Sequence, residues 1–186
     1  MCIRDSHMAI HPYPANLVNH LQLSDGTDIT IRPIRPEDAG IEQDFIRSLS
    51  PEAKYFRFMQ SLQELTPEML VRFTQIDYHN EMALITVWTN PEGGEQEIGV
   101  ARYMTNIDKR SCEFAIVIAD EWQGKGIASL LMRNLIEVAR DRGLEIMEGR
   151  VLSNNARMLD LMARLNFRIS NDPDESGIKL VQLRLI

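Results

Sequence analysis

An apolar strand that passes through a glycine-bearing turn directly into an amphipathic helix constrains this chain more than any other feature. The strand occupies residues 111–118, and Gly124 and Gly126 lie in the turn. A helix is predicted over residues 126–142, because apolar residues recur there at helical spacing. These residues are Ile127, Leu131, Leu135 and Val138. Such a junction aims free backbone N–H groups and the positive end of a helix dipole at one point, which predicts an anion-binding site.

The residues of the turn narrow the choice of anion. A Walker phosphate loop needs Ser or Thr after Gly-Lys, but Gly126 follows Lys125. The dinucleotide-binding spacing also fails, because Ser129 stands where the third glycine belongs. The pattern that fits is Gln-x-x-Gly-x-Ala, formed by Gln123, Gly126 and Ala128. By itself this short pattern is also compatible with a tight strand-to-helix turn that binds no ligand.

The rest of the chain predicts an α+β domain with a mostly antiparallel, mixed sheet flanked by helices. Strands are predicted at residues 28–34, 82–89, 97–105, 111–118, 144–152, 167–169 and 178–185. Ser50 and Thr66 each precede Pro-Glu, which is typical of a helix start. Gly143 ends the long helix, and Asn166 is expected to adopt a left-handed conformation after a last helix.

The amino terminus is set apart from the predicted domain. Residues 1–8 end in Ser-His-Met and are interpreted as an expression scar. Residues 9–27 are expected to form an N-terminal arm, and residues 28–186 the folded domain. Without the scar, Cys112 is the only cysteine. An internal disulfide is then impossible, and a reducing, cytoplasmic location is expected.

Composition excludes several functional classes. The net charge of −7 argues against a general nucleic-acid partner, whose binding surface would be basic. No apolar run approaches the roughly 18 residues of a membrane-spanning helix. The histidines are scattered, and with one cysteine they cannot supply a zinc site, so no metal is expected. The sequence also lacks the Gly-x-Ser-x-Gly signature of many hydrolases.

The strand–turn–helix segment resembles that of the GNAT family of N-acetyltransferases, in which the matching turn cradles the pyrophosphate of acetyl-CoA. Residues 31–39 resemble the first strand and helix start of that family, and residues 155–167 resemble its Asn-x-x-Ala…Gly-Phe region. The resemblance implies a GNAT fold with a central acyl-CoA site. It assigns to acetyl-CoA the residues Ile116, Val117, Ile118, Gln123, Gly124, Lys125, Gly126, Ile127, Ala128, Ser129 and Asn155. Main-chain groups of Ile116 and Ile118 would pair with the pantetheine arm like an added strand.

A narrower similarity connects the chain to the C-terminal domain of Pat-type bacterial protein-lysine acetyltransferases. It is carried by residues 11–14, 49–52, 55–58, 75–78 and 112–115. The similarity implies that the acceptor is a protein lysine, such as one on an acyl-CoA synthetase. Members of that group often carry a large synthetase-like region ahead of this domain, so a full-length protein could contain one.

Glu113 is the predicted general base. A lysine amine has a pKa of about 10.4, so only about one in 10³ is neutral near pH 7 and a proton acceptor is needed. Glu113 interrupts an apolar strand and shares a face with Ala115 and Val117, which we expect to look into a partly dry cleft. In the GNAT family a Glu at this position is the usual general base. The alternative is a Glu on the solvent-facing side of the strand.

The sequence shows no evident general acid, and three functions remain open. Many GNAT proteins have a Tyr after the residue that matches Leu161, but this chain has Met162, which cannot donate a proton. Cys112 lies on the opposite strand face from Glu113 and is expected to be buried. Direct attack in a ternary complex on a protein lysine is the first hypothesis. A small-amine N-acetyltransferase and a non-catalytic, acyl-CoA-sensing regulatory domain are the alternatives.

Overall fold

A computed structural model describes residues 12–186, which form an eight-stranded sheet with helices on both faces. The strands are β1 (Asn19–Gln22), β2 (Asp28–Pro33), β3 (Glu81–Thr89), β4 (Glu95–Thr105), β5 (Ser111–Ile118), β6 (Ile146–Leu152), β7 (Arg168–Asn171) and β8 (Ile178–Arg184). The helices are α1 (Ala39–Ser48), α2 (Pro51–Phe58), α3 (Pro67–Thr74), α4 (Ile127–Asp141) and α5 (Ala156–Arg164). The predicted scar at residues 1–8 and the predicted motif residue His11 lie outside the described residues. None of the helices described is long and apolar enough to cross a membrane.

Local signals begin and end the helices as the sequence predicts. The side-chain oxygens of Ser50 and Thr66 each accept a hydrogen bond from the backbone N–H three residues later, at the start of α2 and α3. Gly143 and Asn166 have positive φ angles of 77° and 65°, the left-handed conformation that ends many helices. These boundaries depend only on neighbouring residues, which is why they can be predicted without the fold.

The described sheet contains one parallel pair of strands, and these two strands separate in the middle of the sheet. Its strand order is β1-β2-β3-β4-β5-β6-β8-β7, and every neighbouring pair is antiparallel except β5 and β6. The parallel pairing covers three residue pairs and ends with Glu113 opposite Glu148. Beyond that pair, β5 continues to Ile118 and β6 to Leu152 without pairing with each other. The predicted mostly antiparallel, mixed sheet is therefore confirmed, and it encloses a gap.

Two hydrophobic cores lie on opposite faces of the sheet. On one face, α4 and α5 pack through Leu131, Leu135 and Met162 against Cys112, Phe114 and Ile116 of β5. On the other face, α1 and α2 pack through Phe45, Ile46 and Ala53 against Val117 and Ala119. Alternate residues of β5 thus face different helical layers, as strand geometry requires.

Most strand bounds differ from the predicted ones by one or two residues, and two of the differences have a clear physical reason. Residues 19–22, expected to belong to an arm, form β1 and pair with β2 in the same sheet. Most of this four-residue strand is exposed, so it carries no strong apolar alternation that would predict it. The strand predicted from residue 144 begins at Ile146, because the N–H of Leu144 instead donates to the carbonyl of Ala139 at the end of α4.

Candidate active site

A cavity of about 990 Å³ occupies the gap between β5 and β6. Residues 114–118 of β5 form one wall, and Arg150 and Val151 of β6 lie opposite. The turn at residues 122–129 closes one end, the start of α5 forms a further wall, and α2 contributes the fourth side. The cavity therefore lies where the predicted acyl-CoA site was expected, and it brings β5 and its turn together with α2, β6 and α5.

The turn at the end of the cavity presents backbone donors without acceptors. Gly124 and Gly126 have φ angles of 78° and 85°, which L-residues with side chains rarely adopt. Within residues 12–186, the N–H groups from Gly124 to Ser129 donate to no other protein group. Gly126 precedes α4 and has no side chain that could cap the helix. Free donors and a helix dipole at the end of a cavity are suited to holding a phosphate.

Polar contacts hold the turn in this geometry. The amide of Gln123 donates to the carbonyl of Ile118 at 3.2 Å, and its oxygen accepts from Arg157 Nη1 at 2.7 Å. Lys125 points away from the cavity wall and forms an ion pair of 2.8 Å with Asp25 in the β1–β2 turn. Of the residues predicted to bind acetyl-CoA, Lys125 alone does not line the cavity.

The free edge of β5 provides the predicted place for a pantetheine arm. Ile116, Val117 and Ile118 line the cavity, and none of them pairs with β6. The carbonyl of Ile118 already accepts one hydrogen bond from Gln123. Asn155 also lines the cavity, while its side-chain oxygen accepts from the N–H of Met158 at 3.2 Å and caps α5. Capping of α5 by Asn155 is therefore compatible with its predicted place beside acetyl-CoA.

Glu113 lies at the point where β5 and β6 separate, outside the large cavity. Its side chain is on the same face as Ala115 and Val117, but it is exposed, so the expected dry surroundings are absent. It lines a second cavity of about 480 Å³, together with Glu148 and Arg150. Arg150 borders both cavities, which places them side by side. A group that enters through the second cavity would therefore meet Glu113 next to the large cavity.

Cys112 and Met162 are both unsuited to proton transfer or covalent chemistry. Both side chains are fully buried in the core between the sheet and helices α4 and α5. Burial, together with the carboxylates of Glu148 and Asp108, raises the pKa of the Cys112 thiol to about 12. A thiolate is therefore rare near neutral pH. Within the described chain, no three His, Cys, Asp or Glu side chains come together to hold a metal ion.

Helix α2 contributes residues that the sequence reasoning did not assign to the site. Ala53, Phe56 and Arg57 line the large cavity on the side opposite α5. Phe56 and Arg57 belong to the segment 55–58, which carries part of the family resemblance, but no role followed from it. The signal that could have identified them is their position one helical turn after Ala53, on the face that packs against β5.

A buried group of charged residues lies behind this part of α2. Glu42 accepts a hydrogen bond from Arg102 Nη2 at 3.5 Å. Glu97 is 1% exposed, and neither of its carboxyl oxygens has a hydrogen-bond partner in the described part of the chain. Burial, and then the negative charge of Glu42, raise the pKa of Glu97 well above its usual range. The neutral form of Glu97 is therefore favoured over the charged form in this buried group.

Comparison with known proteins agrees with this geometry. The family model described as "Acetyltransferase (GNAT) domain" matches residues 28–168. Acetyltransferase PA5475 of Pseudomonas aeruginosa is 39% identical over 163 residues, which are 88% of this chain and 87% of that protein. Acetyltransferase Pat of Mycolicibacterium smegmatis is 31% identical over 147 residues, which are 78% of this chain but 43% of that protein.

A solved structure shows the same architecture. The crystal structure of the GNAT domain of S. lividans PAT superposes with a TM-score of 0.84 and 26% identity. The match covers 93% of this chain and 99% of that domain. The correspondence extends over the sheet, both helical layers and the strand–turn–helix segment that borders the cavity.

Proposed function

The chain belongs to the GNAT family of acetyltransferases and is therefore an N-acetyltransferase that uses acetyl-CoA, and we propose that its acceptor is the side chain of a lysine in another protein. The observation that carries the proposal is the continuity of the site. Unoccupied backbone donors at one end of the cavity lead along the free edge of β5 to Glu113. Sequence similarity to the Pat acetyltransferase supports a protein acceptor.

The cavity fits acetyl-CoA as the donor, which supplies the acetyl group as a thioester. The N–H groups of residues 124–129 would hold the diphosphate, since they have no other partner in the described chain. Ile116 and Val117 would lie along the pantetheine arm on the unpaired edge of β5. Arg157 borders the same cavity and would add a positive charge near the nucleotide end.

Glu113 would take the proton that the acceptor amine must lose. A neutral amine is the nucleophile, and its formation from lysine at pH 7 costs roughly 4–5 kcal/mol. The exposed Glu113 carboxylate borders the second cavity, through which an amine can approach. Direct attack in a ternary complex follows, because the buried thiol of Cys112 cannot serve as an intermediate carrier. The buried Met162 does not provide a general acid, so the CoA thiolate would leave unaided or with water as the proton source.

The acceptor class can be tested by direct transfer. We would incubate the chain with acetyl-CoA and a panel of purified acyl-CoA synthetases, and locate acetyl-lysine by mass spectrometry of tryptic peptides. Parallel reactions would contain polyamines or aminoglycosides as acceptors. Acetylation of specific synthetase lysines is the expected result. Transfer to small amines with none to any protein would overturn the proposed acceptor, and binding of acetyl-CoA without any transfer would indicate a regulatory domain.

A further inference from the structure

Arg57 on α2 lines the large cavity beside Ala53 and Phe56. Hydrogen bonds from the backbone N–H and the side chain of Ser50 to Asp120 fix the start of α2 at the end of β5. Ala53 then packs in the same core as Val117. The helix therefore runs back along β5, and Arg57 comes next, one turn closer to Glu113.

The guanidinium of Arg57 has no partner of opposite charge. Within residues 12–186 it forms neither a hydrogen bond nor an ion pair, and its contact is with the ring of Phe58, 4.8 Å from the centroid. Other arginines that border the cavity are occupied. Arg150 pairs with Asp172 at 3.0 Å, and Arg157 donates to Gln123 at 2.7 Å.

The surroundings of Arg57 leave an excess of positive charge. Burial lowers the pKa of Arg57 to about 10, and the charge of Arg102 adds to that effect, so Arg57 still carries its proton at pH 7. Glu42 also lies near Arg57, but it is shared with Arg102 at 3.5 Å. Two guanidinium groups, those of Arg57 and Arg102, therefore lie near this one carboxylate.

Arg57 and the proposed base, Glu113, lie on the same side of the sheet. Arg102, the charged neighbour of Arg57, stands opposite Ala115 in the β4–β5 register, and Ala115 is two residues from Glu113. Residues two apart on a strand share a face. Helix α2 covers this face, whereas α4 and α5 cover the other. Arg57 and Glu113 therefore lie on the same face of the sheet and line adjoining cavities.

We propose that Arg57 binds a carboxylate of the acceptor, so that this site selects amines that carry a nearby negative charge. The inference rests on the proposed function and deepens it. The carboxylate can come from a free amino acid such as a lysine derivative, or from an acidic residue beside the target lysine of a protein. Both sources present the same planar group, which a guanidinium binds through two parallel hydrogen bonds.

Matched acceptors separate charge recognition from general catalysis. The small pair is Nα-acetyl-lysine and its carboxamide, and the peptide pair is acetyl-Glu-Lys-Glu-amide and acetyl-Gln-Lys-Gln-amide. The wild-type chain should favour the carboxylate member of a pair by roughly 10- to 100-fold in kcat/KM. Preference in the small pair alone indicates an amino-acid acceptor, and preference in the peptide pair indicates a protein acceptor.

Variants of Arg57 then assign the preference to this residue. Arg57→Gln should bring the ratio of the two kcat/KM values close to one, and Arg57→Lys should retain part of the ratio. Arg47→Gln is the control, because Arg47 is exposed and pairs with Glu64. Absence of a preference in the wild type would overturn the proposal, as would an equal loss for charged and neutral acceptors in Arg57→Gln.

A binding measurement keeps the inference separate from the proposed function. The Nε–H signal of Arg57 in ¹⁵N spectra of the CoA-bound chain is assigned by its loss in Arg57→Lys. It should shift with Nα-acetyl-lysine and not with the carboxamide. A shift without acetyl transfer would sustain the carboxylate site while the proposed function fails. No shift with either compound, nor with the Glu-Lys-Glu peptide, would overturn the inference.

Discussion

Glu113 lies directly opposite Glu148 in the last residue pair that joins β5 to β6. Neither carboxylate forms an ion pair with a cation in the described part of the chain. The side chain of Glu148 accepts hydrogen bonds from Asn106 at 3.0 Å and Gln182 at 3.4 Å, whereas no such contact holds Glu113. Like charges directly opposite on a sheet repel each other, so an arriving ammonium group would relieve this pair. Glu113 is therefore the member of this pair whose carboxylate no hydrogen bond holds in the described part of the chain.

Replacement of Glu113 by Gln should lower kcat by about 10²- to 10⁴-fold, because Gln cannot accept the proton of the amine. Calorimetry should show acetyl-CoA binding unchanged, since Glu113 does not line the large cavity. Glu148→Gln is the matched control, and its loss in kcat should stay below about tenfold. Equal losses in the two variants would assign no special role to Glu113.

The glycine at the start of α4 should matter for binding as well as for stability. Gly126→Ala places a side chain at a φ of 85°, which costs about 1–2 kcal/mol of unfolding free energy, and it adds a methyl group beside the phosphate donors. Gly177→Ala is the control, because Gly177 has a φ of 92° in the loop before β8 and does not line the cavity. Denaturation should show similar destabilisation in both variants, and calorimetry should show weaker acetyl-CoA binding in Gly126→Ala alone. Unchanged binding would contradict the assigned phosphate site.

The buried Glu97 should make the protein less stable as pH rises. Its raised pKa means that the unfolded chain releases this proton at lower pH than the folded chain does. Stability is therefore complete below about pH 4.5 and is lost as pH rises through the higher pKa of the folded state. Glu97→Gln should flatten this decline and be more stable than the wild type at pH 8. Urea denaturation at pH 5 and pH 8 measures the free energy of unfolding, and Glu137→Gln, at an exposed position, is the control. An equal change of stability with pH in the wild type and in Glu97→Gln would refute this prediction.

The close contact between Phe114 and Gly149 should make any larger residue at position 149 of β6 destabilising. A Cβ added at Gly149 would lie 2.7 Å from a ring carbon of Phe114. Gly149→Ala should therefore destabilise the fold by about 1–3 kcal/mol and displace a ring that borders the large cavity. The double variant with Phe114→Leu should recover part of that loss, which thermal unfolding can measure. Additive losses would show that the contact is not the cause.

The ion pair between Lys125 and Asp25 should compete with the phosphate. The hydrogen bond from the Lys125 ammonium holds the pKa of Asp25 well below its usual range, so the carboxylate stays charged at any working pH. Asp25→Asn releases Lys125 towards the turn and should tighten acetyl-CoA binding by about two- to fivefold at low salt. Lys125→Gln should weaken it. Affinities measured at 20 mM and 300 mM NaCl test this, and no effect of either variant would exclude Lys125 from the site.

Local chemistry made much of the fold predictable from sequence. The caps at Ser50 and Thr66, the left-handed Asn166 and the glycine turn between β5 and α4 each depend on residues a few positions apart. The motif at residues 123–128 adds a resemblance that the family comparison confirms. β1 could not be predicted, because four mostly exposed residues have no apolar period and are held by pairing with β2.

Apart from β1, the sequence by itself determined which segments form strands and helices and where free backbone donors would collect, because propensity, capping and alternation act over a few residues. The tertiary structure alone decided that β5 and β6 pair only as far as Glu113 and Glu148, and that Arg57 reaches the cavity from α2. Along the chain, Glu113 lies 35 positions from Glu148 and 56 positions from Arg57. The register of these elements is set by burial in two cores on opposite faces of the sheet, which depends on side chains from the whole fold at once.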